Sequence, residues 1–271
     1  TDVVEIATYF LDGVMQEFID KTNGKEAMRR THNHAKKGRA LGLGVMGWHT
    51  FLQKKNLPFN SIASTAWTHT IMSKIKLEAE AASRKLATEY GEPLWCKGTG
   101  MRNTHVMAIA PTVSNSRISG CSAGIEPQPA NVYTFNGAKG TFIVKNPELE
   151  KLLKERGHNT EKVWDQILTD GGSVQNLPND ILPEEDKEVF LTFAETNQLA
   201  LVQQAAIRQT YIDQTQSLNL AFSPTDSPKW INQVHMEAWK LGVKTLYYLR
   251  TDSVIKGDLG SRMADCVSCD G

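Results

Sequence analysis

Two cysteines stand three positions apart at the end of the chain, in Cys266-Val267-Ser268-Cys269. A dithiol at this spacing can close a disulfide and carry two electrons between partners. Structural zinc takes four ligands and this segment supplies two, while a thioredoxin-like motif follows a strand and opens a helix, which the polar surroundings do not offer. The pair is therefore either a mobile redox dithiol or incidental. Two adjacent tyrosines, Tyr247 and Tyr248, lie in an apolar run. On a strand they face opposite sides, so they are core packing unless the strand separates two environments that chemistry must join. A third group is Thr112-Val113-Ser114-Asn115-Ser116, a run rich in hydroxyl and amide residues behind Pro111. A helix beginning there has either an ordinary Ser/Thr cap or a cradle of outward N–H groups backed by the helix dipole, which suits an anion such as phosphate.

Other patterns carry less. Gly42-x-Gly44-x-x-Gly47 matches a dinucleotide fingerprint, but a basic stretch precedes it where a strand is needed, and residues 60–75 hold no acidic residue for a ribose. Close helix packing through small residues accounts for these glycines. The basic stretch 29–39 reads as a loop and lacks aromatics to stack on bases, so it is a solvated surface. His32 and His34 have no further ligands nearby, and no metal site is expected. Cys96 and Cys121 read as packing or incidental thiols.

The elements that must position these groups follow from periodicity. Helical spacing of apolar residues covers 3–23, and good helix formers cover 61–90 up to a Gly91-Glu92-Pro93 stop. Beyond residue 100, the run 105–110 reads as a buried strand, and 131–135 with 140–144 as a hairpin turning at Asn136-Gly137. Helices are expected at 147–156, 161–169, 185–209 and 227–241, with strands at 217–222 and 243–249. Strands alternating with helices give an α/β class, with too few strands to close a barrel. From Asp252 onward the sequence is polar, and little apolar surface offsets the entropy of ordering it. A flexible tail is expected at 252–271 behind one unit at 1–251.

Thirty basic residues balance thirty acidic ones, so no overall field favours nucleic acid or an anionic membrane. No apolar stretch approaches the roughly 18 residues of a spanning helix, and the first residues lack the basic start and apolar run of a signal peptide. A soluble, cytoplasmic chain without membrane or nucleic-acid partners is expected. Hydrophobic residues at 40% exclude disorder and fibrous structure.

Several segments together resemble the large subunit of class I ribonucleotide reductase. They are 39–47 (RALGLGVMG), 110–127 (APTVSNSRISGCSAGIEP), 212–219 (IDQTQSLN), 242–250 (GVKTLYYLR) and the cysteine-bearing tail, in the family's order and spacing. The resemblance implies the C-terminal part of a ten-stranded α/β barrel with extra helices. It implies an enzyme that removes the 2′-hydroxyl of a ribonucleoside diphosphate by thiyl-radical chemistry. Thr112, Val113, Ser114, Asn115 and Ser116 would then hold the substrate diphosphate. Tyr247, toward the barrel interior, and Tyr248, toward the small subunit, would relay the radical from that subunit's metal–tyrosyl centre to the active-site cysteine. Cys266 and Cys269 would pass on electrons from glutaredoxin or thioredoxin, and the chain would bind no cofactor of its own.

The family's radical cysteine lies in an Asn-x-Cys-x-Glu motif that this sequence lacks, and the upstream redox cysteine pair, the specificity-site helices and the N-terminal regulatory domain are missing too. The chain is therefore expected to be inactive and poorly stable alone, and to need an N-terminal part and the small subunit. Thr1, a small residue of the kind left when an initiator Met is removed, favours a split subunit, expected to be of phage type, over a fragment or a spliced or cleaved precursor. The alternative is a non-catalytic module that docks the small subunit or a glutaredoxin.

Overall fold

A computed structural model describes residues 2–137 and 140–251. The expected tail, with Cys266 and Cys269, lies outside the described residues. Helix α1 (Val3–Thr22) ends one residue before the expected 3–23, with Asn23 extended as its cap, and the basic stretch expected to be a loop is helix α2 (Arg29–Gly38). Arg29, Arg30, Ala35, Lys36 and Lys37 are good helix formers, and packing holds the Thr, Asn and His residues between them. His32 Nδ1 lies 3.1 Å from both Ile19 O and Thr22 Oγ1, and His34 meets the Trp95 ring edge-on at 5.0 Å.

Helix α3 (Trp48–Lys54) precedes the long α4 (Ile62–Tyr90), where the Ser61 hydroxyl caps by accepting the Ser64 N–H at 3.1 Å. Helix α4 packs along α1. Helix α5 (Val113–Ser119) follows Pro111. Strands β1 (Val132–Gly137) and β2 (Gly140–Lys145) form the expected antiparallel hairpin. Asn136 and Gly137 sit in its ladder rather than in its turn, paired with Thr141 and Gly140, and the positive φ falls on Gly140 at +124°.

Helices α6 (Pro147–Glu155) and α7 (Glu161–Thr169) are capped by the side chains of Asn146 and Thr160. The single helix expected over 185–209 is two, α8 (Glu184–Val189) and α9 (Gln198–Gln209). Thr192 breaks it by donating both its N–H and its hydroxyl to Glu195 Oε2 at 2.8 Å, and Asn197 then caps a new helix by accepting the Leu199 N–H. Strand β3 (Leu220–Phe222), helix α10 (Pro228–Lys240) and strand β4 (Leu249–Thr251) complete the described chain. The strand expected at 243–249 pairs only from Tyr247 onward.

Four extended segments lie side by side among the described residues, parallel and in chain order. Leu41 and Leu43 donate to His105 O and Val106 O, and Gln214 donates to Met107 O while Ser217 donates to Ile109 O. Tyr247 donates to Leu218 O and Leu220 to Tyr248 O, at the start of the parallel β3–β4 pair. Helices connect the segments, which is the α/β pattern read from the sequence. Gly44 is required here, because a Cβ on it would lie 2.3 Å from Ala108 O. Gly42 and Gly44 thus serve close approach of extended segments rather than of helices as expected, while Gly47 takes a left-handed φ of 77° at the start of α3. One apolar core fills the space between this parallel set and α3, α4, α9 and α10, with Leu52, Met72, Met107, Leu201 and Leu218 fully buried. A second joins β1 to α6, α7 and α8 around Leu149, Leu153 and Ile167.

Candidate active site

Beside the β3–β4 end of the parallel set lies a cavity of about 520 Å³. Its wall includes Val113 and Ser116 from α5, Glu126 and Asn219 from the chain beneath, Tyr133 and Phe135 from β1, and Tyr247, Tyr248 and Arg250.

The start of α5 is built without a side-chain cap. Thr112 takes a left-handed conformation, φ 51°, and its hydroxyl accepts the Gly124 N–H at 2.8 Å. Ser116 is buried and its hydroxyl donates to Val113 O. Those two hydroxyls are committed within the protein, and the first turn of α5 is the positive end of its helix dipole. Of the five residues expected to hold phosphate, Val113 and Ser116 reach the cavity wall; Thr112, Ser114 and Asn115 do not line it.

Tyr247 and Tyr248 do not face opposite sides. Their ring centroids are 4.1 Å apart with planes at 50°, both rings line the cavity, and they are 44% and 40% exposed. Strand β4 begins only at Leu249, so the pair precedes it and the alternation of a strand does not govern the two rings.

Sequence reasoning missed a polar cluster beside them. Glu126 accepts the Asn219 backbone N–H at 2.6 Å and its side-chain N–H at 3.1 Å. Burial pushes the Glu126 carboxyl up, while these bonds and the charges of Arg250 and Arg208 pull it down. Arg208 is wholly buried; its Nε donates to Gln216 Oε1 at 3.2 Å, and among the described residues Nη1 and Nη2 have no hydrogen-bond partner. Burial lowers the Arg208 guanidinium to about 9 and Glu126 opposes the shift. Arg117 lies over the Phe135 ring at 5.1 Å and also borders the cavity. The available signal was one acid in an otherwise small and apolar stretch, Ala123-Gly124-Ile125-Glu126-Pro127.

Cys96 is buried. Cys121 lies on the cavity wall, its Sγ 3.2 Å from where a Cβ on Gly47 would stand. Among the described residues no group of three or more His, Cys, Asp or Glu is arranged to hold a metal, and no helix is long and apolar enough to cross a membrane.

A family model described as ribonucleotide reductase, barrel domain, matches residues 1–97 and 94–249. The ribonucleoside-diphosphate reductase large subunit of Invertebrate iridescent virus 6 is 40% identical over 260 residues, covering 95% of this chain and 26% of that protein. A putative large subunit from Frog virus 3 is 40% identical over 252 residues, covering 93% of this chain and 44% of that protein. The solved class Id ribonucleotide reductase alpha subunit of Actinobacillus ureae superposes with a TM-score of 0.88 at 44% identity, over 93% of this chain and 46% of that one. The chain therefore spans less than half the length of each of these relatives.

Proposed function

This chain belongs to the ribonucleotide reductase barrel-domain family, and on that premise we propose that it is the C-terminal component of a ribonucleoside-diphosphate reductase large subunit. The observation that carries the reading is one cavity bordered by both the α5 turn and the two tyrosine rings. The substrate diphosphate sits against the N–H groups that begin α5, where the helix dipole favours negative charge. The small subunit's metal–tyrosyl centre supplies the oxidising equivalent. Within this chain the ring contact passes it inward: one electron and one proton leave the Tyr247 phenol for a Tyr248 phenoxyl, which becomes a phenol again. Tyr247 then recovers a hydrogen atom from the thiol of a cysteine supplied by the N-terminal part, since this sequence has no Asn-x-Cys-x-Glu motif. After turnover, Cys266 and Cys269 reduce the active-site disulfide and become a disulfide themselves, which glutaredoxin or thioredoxin reduces in turn.

The test is reconstitution. The chain mixed with the N-terminal part, the small subunit and glutaredoxin reduces a ribonucleoside diphosphate, and the chain alone does not. Tyr247→Phe and Tyr248→Phe each abolish turnover with the melting curve unchanged. Cys266→Ser and Cys269→Ser abolish repeated turnover but spare a single turnover of pre-reduced enzyme. Near-normal activity of either phenylalanine variant, or turnover by the chain alone, overturns the reading.

A further inference from the structure

We infer that Glu126 is a positioning residue for the tyrosine pair and that it acts through Asn219. Three consecutive residues hold the pair in place. Leu218 O accepts the Tyr247 N–H at 2.8 Å, Leu220 donates its N–H to Tyr248 O at 2.9 Å, and between them Asn219 Oδ1 accepts the Tyr248 N–H at 3.2 Å. An amide has one accepting and one donating end, so its usefulness depends on which way it is turned. The Glu126 carboxylate only accepts. By taking both the backbone and the side-chain N–H of Asn219, it turns the amide oxygen toward Tyr248. Asn219 is 7% exposed, so water does not readily replace a lost partner. Glu126 and Asn219 also border the cavity that the tyrosine rings line. The geometry stands by itself; the effect on turnover rests on the proposed reductase reading.

Swapping donor and acceptor tests this. Glu126→Gln sets an NH2 against the Asn219 NH2, and Asn219→Asp sets two carboxylates together. The double variant restores the pattern: the amide now at position 126 donates to the carboxylate now at position 219, whose other oxygen accepts the Tyr248 N–H. Fluorotyrosine placed at 247 or 248 in the full chain reports ring environment by fluorine NMR, and kcat and KM are measured in the reconstituted complex. Each single variant shifts and broadens the fluorine signals and lowers kcat about tenfold to a hundredfold with little change in KM, as expected for a misplaced reacting group. The double variant recovers both. Unchanged fluorine signals in the single variants, or a double variant no better than either, overturn the inference. Should a single variant unfold, the double variant decides alone: folded with wild-type signals supports coupling through position 219, and folded with a disordered pair refutes it. Fluorine signals that follow the pattern in a complex that never turns over leave the positioning role standing and remove the reductase reading.

Discussion

His49, inside α3, is wholly buried, and its two nitrogens are spoken for by different strands of chain. Nδ1 accepts the Gln128 N–H at 2.9 Å, so the ring proton is on Nε2, 3.2 Å from Val189 O. Burial lowers its pKa from 6.5 to about 4, against a small opposing effect of the Val189 carbonyl. A depressed histidine pKa means that the unfolded chain binds the proton more tightly. Stability is therefore complete above pH 6.5 and is lost as pH falls from 6.5 toward 4, by up to about 3 kcal/mol. Urea unfolding across that window should show the decline, and His49→Gln, whose amide does not titrate, should flatten it. An equal slope in the variant would assign the decline to other groups. The same contrast explains which site residues were legible. The 112–116 run and the tyrosine pair announce themselves by residue type at adjacent positions. Glu126 and Asn219 are 93 positions apart and acquire their role only by touching, and the tyrosine rings share one cavity because of a backbone detail that residue types do not encode.

Elements with local signals were legible: α7 has the bounds its periodicity predicts, and Ser61 and Ser227 cap α4 and α10. Elements decided by distant contacts were not. Helix α2 sets its histidines against Ile19, Thr22 and Trp95, and the gap between α8 and α9 depends on how Thr192 and Glu195 meet. Glycine substitutions separate these two kinds of determinant. Gly44→Ala drives a methyl group into the Ala108 carbonyl and disturbs the Leu43–Met107 bridge, so it should cost about 1–3 kcal/mol or more, as overpacking does. Gly13, inside α1, has open space around its would-be Cβ. Gly13→Ala should stabilise by about 0.5–1 kcal/mol, because alanine is the better helix former. Denaturant midpoints of the two variants should move in opposite directions, and an undiminished midpoint for Gly44→Ala would show that the glycine at 44 is not a packing requirement.

Across the whole molecule, the described surface is unfinished in two places. The outer members of the parallel set, residues 41–44 and β4, are each paired on one side only among the described residues, and sheet edges of this kind invite further pairing. The second place is α1, whose buried residues Thr8, Asp12, Ile19 and Thr22 face inward. Its opposite face presents Val3, Ile6, Phe10 and Val14, each 48–69% exposed, at spacings that align them in one stripe. A contiguous apolar stripe of this length is a contact surface rather than scattered exposure. The stripe lies away from the cavity, and Asp12, bound by Arg39 and Arg102 at 2.8 and 2.9 Å, fixes α1 on the other side. Removing the stripe should therefore leave the fold intact. The isolated chain is expected to self-associate in sedimentation experiments as its concentration rises and to bind a hydrophobic dye while still folded. Ile6→Glu combined with Phe10→Glu should raise the monomer fraction and lower dye binding without lowering the melting temperature. A monomeric, dye-silent wild-type chain would show that this face is satisfied without a neighbour.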